Sequence, residues 1–391
     1  MDPLTHGITG ALIAKAFFTD RYARDTGGED KARVATWAMT LGAILPDIDV
    51  FIGPITHNDL AIIEVHRSVT HSILCLPIWA VLLAALTRWY ARVRDKESQS
   101  WGALAAICAV GLASHILLDV VTAFGTMVWS PWKYTRPAWD LVFIIDISLM
   151  GIVLLPQLLA WAYRDRQRSF VRTLRLWAFS TAGMMLFALL ARAVGFPLMR
   201  WALPVALVVL VALWFGPMIA GRGFRLRRSG WCRAGVYALG LYLLLCTAAH
   251  HAALGRVKAF AAARGVPAEQ VAALPLPPSA ARWEGLIRTP DGVWEARINL
   301  LSRTQPEFHF YMDAQANGYL DAARQLPRVQ KYLWFARFPV YHFRERDGRA
   351  VVEISDLRFF GRPTRPQPFT FRVEFDAAGR VVEQGWAGGP P

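Results

Sequence analysis

Six apolar stretches, each long enough to cross a bilayer, fall before residue 254 of this 391-residue chain, at about 72–91, 101–124, 141–163, 174–195, 201–220 and 232–254. A span takes about 20 apolar residues, because the hydrocarbon layer is about 30 Å thick. Lipid offers backbone N–H and C=O groups no partners, so such a chain must fold as a bundle of helices. Two shorter segments, about 4–18 and 34–51, carry His6, Lys15, Pro46, Asp47 and Asp49. They suit spans buried inside the bundle or half-helices entering from one face, which gives six to eight membrane segments in all.

Basic residues set the orientation. Arg92, Arg94 and Lys96, then Arg164, Arg166, Arg168 and Arg172, then Arg222, Arg225, Arg227 and Arg228 occupy alternate loops, which assigns those loops to the cytoplasm. The opposite loops, about 125–140 and 196–200, are sparser in positive charge, and the C-terminal part starts outside. The first apolar segment opens with Asp2, Pro3 and His6 rather than a basic region, so no cleavable signal peptide is expected. The formal charge is +14, yet residues 255–391 hold 19 Lys+Arg and 14 Asp+Glu, so most of the surplus sits in the membrane part and its loops. No nucleic-acid partner is needed to explain it. Cys75, Cys108, Cys232 and Cys246 lie in apolar runs and read as packing residues.

Residues 1–254 are thus expected to form the membrane domain and residues 255–391 a soluble one. Pro275, Pro277 and Pro278 mark a linker, after which apolar runs alternate with turn residues. Trp283–Ile287 and Val293–Leu300 flank Thr-Pro-Asp-Gly, Val340–Phe343 and Ala350–Ile354 flank Asp347-Gly348, and Phe369–Phe375 and Arg380–Val382 flank Asp376–Gly379. The pattern predicts an antiparallel β-rich (α+β) domain with a helix near 313–325, its His309 and His342 in strands.

Polar residues gather in the membrane part. Five of nine His precede residue 120; His57 sits in a loop, and the other four fall in the runs Asp2-Pro3-Leu4-Thr5-His6, His66-Arg67-Ser68-Val69-Thr70-His71-Ser72 and Ser114-His115 with Leu118-Asp119, Thr122 and Gly125, beside Pro46-Asp47-Ile48-Asp49. Asp140 and Asp146 follow. His115 and Asp119 stand at i and i+4, so both point to one helix face, and an imidazole with a carboxylate suits Zn²⁺ or Mn²⁺. With the orientation above, four motifs converge on the outer membrane face. The bland roles are interfacial rings for His66 and His71 and a helix end at Asp47 and Asp49. An ionised Asp119 inside an apolar run is costly and points to a site.

Pro-Leu-Thr-His, Leu-Pro-Asp-Ile-Asp, His-Arg-Ser-Val-Thr-His-Ser and His-Ile-Leu-Leu-Asp, in this order over about residues 1–150, resemble the YdjM-like family of bacterial inner-membrane proteins, described as membrane-bound metal-dependent hydrolases. The resemblance implies a metal-dependent hydrolase, with His6, Asp47, Asp49, His66, His71, His115 and Asp119 at the motif positions; the periplasmic placement of the C-terminal domain rests on the basic loops alone. The His-x-x-x-Asp element is also similar to one in zinc-dependent phospholipases C and P1-type nucleases, which implies phosphoester chemistry and several metals.

The expected activity is hydrolysis at the periplasmic membrane face by two or three divalent ions, Zn²⁺ or Mn²⁺. His66, His71, His115 and Asp119 serve as ligands, and Asp47 or Asp49 as a metal bridge or base. Arg67 suits a phosphate oxygen or an interfacial anchor equally. A site at that depth favours a lipid or lipid-linked phosphoester as substrate. A transporter or ion-binding protein is the alternative, since membrane carboxylates and His also build ion pathways. A third reading is a scaffold with a structural metal, whose C-terminal domain binds a periplasmic partner.

Overall fold

The computed structural model describes residues 1–22, 27–193, 201–221, 223–302, 304–346, 348–359 and 368–388. Arg222, Asp347 and residues 194–200, which include the loop at 196–200, lie outside the described residues.

The N-terminal region is helical: α1 (Pro3–Phe17), α2 (Gly28–Ile44), α3 (Leu76–Val93), α4 (Trp101–Val120), α5 (Ile147–Ala162), α6 (Ser169–Ala193), α7 (Ala202–Ile219) and α8 (Arg228–Arg264). Among the described residues, four helical stretches are long and apolar enough to cross a membrane: Gly28–Thr56, Trp101–Val120, Ser169–Leu190 and Arg228–Arg264. A fifth is a broken one, Ala61–His71 with Leu76–Val93, bent by 76°. The apolar runs at 141–163 and 201–220 yield shorter helices; in the first, residues 121–146 stay outside any helix and α5 starts only where Asp146 caps it.

Close approach of backbones builds the part that carries the polar motifs. A Cβ on Gly111 of α4 would lie 2.6 Å from the Met39 carbonyl oxygen of α2, and one on Gly42 of α2 would lie 2.8 Å from that of Cys108. Gly10 of α1 meets Met39 and Ala43 in the same way. Small residues let membrane helices touch backbone to backbone, where packing rather than water exclusion holds them together.

The C-terminal region holds two four-stranded antiparallel sheets, each a meander. The first contains β1 (Gln270–Leu276), β2 (Arg282–Thr289), β3 (Gly292–Asn299) and β4 (Phe308–Met312). The second contains β5 (Pro339–Arg346), β6 (Arg349–Asp356), β7 (Thr370–Phe375) and β8 (Val381–Trp386), preceded by α9 (Gly318–Gln325) and α10 (Pro327–Phe335). The run around Pro275 is an edge strand rather than a linker, paired only with β2; an edge tolerates proline because one side needs no N–H donor.

Two cores join the regions. Ala253, Val257 and Ala261 at the far end of α8 pack under Trp283, Ile287 and Ile298 of the first sheet. The change of sequence texture near residue 254 is therefore a change in what one helix faces, from lipid-type packing to a sheet. The second sheet and α10 close over Leu60, Ile63 and Phe124, of which Ile63 lies in the short helix Ala61–Glu64, Leu60 just before it and Phe124 in the loop after α4.

Candidate metal centre

Asp47, His71, His115 and Asp119 each turn one donor atom to a common point, all within 4.8 Å of one another, and all four residues are buried. His115 and Asp119 come from the last turns of α4, Asp47 from the 3₁₀ stretch Leu45–Phe51 after α2, and His71 from the single turn Val69–His71 before α3. His71 Nε2 is 3.0 Å from His115 Nε2, 3.1 Å from Asp119 Oδ2 and 3.5 Å from Asp47 Oδ1. His115 Nε2 is 3.4 Å from both Asp47 Oδ1 and Asp119 Oδ2. Metal–ligand bonds of about 2.0–2.1 Å in a tetrahedron put ligands about 3.3–3.4 Å apart, so these spacings fit a zinc-sized ion.

Proton positions agree. His115 Nδ1 donates to the Ala43 carbonyl at 2.7 Å, which leaves its Nε2 lone pair pointing inward. His71 Nδ1 donates to Thr70 Oγ1 at 3.0 Å, and that hydroxyl donates to Asp49 Oδ2 at 2.5 Å. Two lone pairs therefore face each other across 3.0 Å, an arrangement a cation between them would stabilise. Asp47 Oδ2 and Asp119 Oδ2 are buried without any hydrogen-bond donor among the described residues. Unsatisfied buried carboxylate oxygens are expensive unless a cation meets them.

The remaining sequence-predicted residues surround these four. Asp49 accepts His66 Nδ1 at 2.6 Å on one oxygen and the Arg67 backbone N–H at 3.0 Å on the other. It orients His66 and, through Thr70, His71, rather than joining the four donors. His6 stacks on His115 with ring centres 3.7 Å apart and sets Nε2 3.2 Å from Asp119 Oδ1. That same oxygen meets the Met1 α-amino group and Arg67 Nη2, the latter at 2.9 Å.

Arg67 is 1% exposed and has a positive φ of 62°. A left-handed backbone at a bulky residue costs on the order of 1–3 kcal/mol and survives only where its surroundings fix it. Here Arg67 Nη1 donates to the Asp119 carbonyl at 3.3 Å and to Thr122 Oγ1 at 3.0 Å, while the Met127 N–H meets the Arg67 carbonyl at 2.8 Å. In this structure its guanidinium is spent on holding Asp119 and Thr122.

Other motif residues work elsewhere. Asp2 caps α1 by accepting from Thr5 N–H at 2.9 Å and Thr5 Oγ1 at 2.6 Å. Asp146 caps α5 and also takes Tyr242 OH at 2.8 Å, while Asp140 pairs with Arg337 of the C-terminal region. Sequence reasoning missed Arg136, whose guanidinium donates to the Ile63 and His66 carbonyls and lies 5.1 Å from the Phe124 ring centre. Burial and the neighbouring Arg67 and Arg358 guanidinia push its pKa down. Only the Gly125 position, with φ of 84° and Arg136 packed against it, hints at this contact in the sequence.

No curated protein and no solved structure matches the chain. Residues 1–194, which contain every residue of this centre, match the family described as YdjM inner membrane protein. On that match, and on the motifs now seen to converge in space, the chain belongs to the YdjM inner membrane protein family.

Proposed function

We propose that the protein is a divalent-metal-dependent hydrolase of the inner membrane, working at the periplasmic face on a phosphoester of a lipid or lipid-linked molecule. One observation carries the reading: four buried donors from three separated motifs at the spacing of a tetrahedral site, two of them carboxylates with an unsatisfied oxygen. Asp47, His71, His115 and Asp119 would hold the ion, Zn²⁺ or Mn²⁺, and His6 and His66 flank them for a second. A divalent ion supplies an acidified water and a polarised bond at the reacting centre.

The chain's own residues prepare the rest. Asp49 and Thr70 fix the His71 ring, Ala43 fixes that of His115, and Arg67 fixes Asp119. Asp47 is the most exposed of the four donors, at 8%, and its free Oδ2 is placed to take a proton from an attacking water. Apolar helices around the site favour a substrate that arrives with its tail in the bilayer. Elemental analysis of purified protein, followed by turnover of lipid phosphoesters before and after chelation, tests the proposal. Activity that persists in fully chelated protein would sink it.

A structural metal is the second reading, and burial favours it: His71, His115 and Asp119 are all 0% exposed. Four protein ligands with no position for water make a closed site. Tight metal retention with no turnover of esters, phosphoesters or amides would give that reading the lead.

A further inference from the structure

At the end of α1 and α2 away from the metal centre lies a cavity of about 540 Å³. Its walls come from separated parts of the chain: Lys15 from α1, Glu29, Arg33 and Trp37 from α2, Arg164 from the turn after α5, and Arg228 from the start of α8. We propose that this cavity binds a phosphate group, carried by an anionic phospholipid or free in solution.

Charge imbalance is the first argument. Four cations line the cavity against one carboxylate, Glu29. Arg33 Nη2 lies 2.7 Å from Glu29 Oε1, and Arg164 Nη2 approaches the same oxygen at 4.0 Å, so one carboxylate is shared by two guanidinia. Lys15 Nζ donates to the neutral amide oxygen of Gln157 at 2.8 Å, which satisfies a hydrogen bond and leaves the charge uncompensated. Arg228 has no carboxylate partner among the described residues. Like charges brought together at a concave surface repel unless an anion joins them.

Convergence is the second argument. Basic loops on one side of a membrane need only be basic; they need not meet. Here Arg164 and Arg228, 64 positions apart in sequence, reach one hollow with Lys15, which belongs to no loop at all. Guanidinium forks and an ammonium around a hollow are the donor set that recognises phosphate oxygens. The volume fits a head group rather than a bare ion. Trp37 supplies an apolar wall of the kind found where lipid heads meet protein.

The test uses the full chain in detergent micelles, with phosphatidylglycerol, phosphatidylcholine and inorganic phosphate as probes and native mass spectrometry as readout. Wild-type protein is expected to retain one phosphatidylglycerol at least tenfold more strongly than phosphatidylcholine. Lys15→Met and Arg228→Gln should each weaken that retention about tenfold, and Lys15→Arg should restore it. Arg228 sits at an exposed helix start, so its replacement leaves the fold intact. Displacement of the lipid by millimolar inorganic phosphate identifies phosphate itself as the ligand; lipid retained against phosphate identifies the tailed head group. Unchanged phosphatidylglycerol retention in both Lys15→Met and Arg228→Gln overturns the proposal, as does equal retention of the two lipids without phosphate binding. The proposal is independent of the metal centre, whose metal content these variants leave unchanged.

Discussion

Arg337 of the C-terminal region grips Asp140 of the loop before α5 with both arms of its guanidinium, Nη1 to Oδ1 at 2.8 Å and Nη2 to Oδ2 at 2.9 Å. Two further pairs cross the same junction, Arg328 with Asp59 and Lys331 with Glu64. In each case the base comes from α10 or just after it, and the acid comes from the stretches 57–64 and 121–146 beside the metal centre. Trp386 adds an Nε1–H bond to the Asp59 carbonyl at 2.8 Å. The C-terminal region is thus fastened over the centre by charges of one sign on each side.

Removing one arm of this clasp should loosen the cover without unfolding it. Arg337→Ala is expected to destabilise docking by about 1–2 kcal/mol, the worth of hydrogen bonds to a charged group reduced for partial exposure. The swap Asp140→Arg with Arg337→Asp should recover part of that loss. Limited proteolysis and hydrogen exchange at residues 57–66 report the outcome. Protection equal to wild type in Arg337→Ala would show that the apolar contacts around Phe124 suffice.

His115→Ala and Asp119→Ala should each abolish stoichiometric metal while leaving the protein inserted in the membrane. Each removes one of four donors that lie within 4.8 Å of one another. Elemental analysis checks this, and full metal content in His115→Ala would falsify the assignment.

Asp49→Asn should behave differently from Asp47→Asn. Asp49 holds His66 and Thr70, so its amide variant is expected to weaken metal binding about 10–100-fold, the usual cost of losing a partner behind a ligand. Asp47→Asn removes a donor itself and should lose both metal and turnover. Metal titrations on the two variants separate the roles; equal losses would place both carboxylates on the ion.

The first sheet carries its own pH signature. Burial, and then the neighbouring Glu295 charge, raises the Glu284 pKa well above the ordinary value of 4.5. The unfolded chain ionises this group as pH rises past about 4.5 while the folded chain keeps it protonated, so stability falls from that pH upward until the raised folded pKa is passed. Glu284→Gln should flatten the fall and raise the melting temperature at pH 7 by a few degrees. A thermal-melt series from pH 4 to 8 on the full chain reads it, and parallel curves for wild type and variant would remove Glu284 as the cause.

The orientation has a direct assay. If the basic loops face the cytoplasm, as proposed, a phosphatase fused at residue 391 should be active and a fluorescent protein fused there dark. The reverse pattern would move the metal centre to the cytoplasmic face.

Much of the centre was readable before any coordinates. His115 and Asp119 share a helix face by spacing alone, and the cost of an ionised group in an apolar run singled out Asp119. The division of labour between Asp47 and Asp49 was not readable. They stand two residues apart in a 3₁₀ turn, and which one faces inward depends on how that turn meets α4. Arg67 was singled out, but its hold on Asp119 was not readable, since it depends on a positive φ that aims the guanidinium back at that carboxylate. In the C-terminal region the hairpins at 282–299, 339–356 and 370–386 followed from their turns, whereas β1 hid behind prolines and β4 had no turn signal near it. The run at 141–163 was apolar enough for a full span, but its first residues lie along α4 instead, with Leu141 and Val142 N–H groups bonded to the Val121 carbonyl.

Helix α8 spans 37 residues, about 55 Å, which is well beyond the thickness of a hydrocarbon layer. It passes without a break from the packing against α1 and α5 to the underside of the first sheet. One rod thus belongs to both regions. A tilt of about ten degrees at its membrane end sweeps the other end through about 10 Å. The clasp ties the other half of the C-terminal region, the second sheet with α10, to the segments around the centre, so a swing of the rod alone would have to break charged pairs to lift the cover.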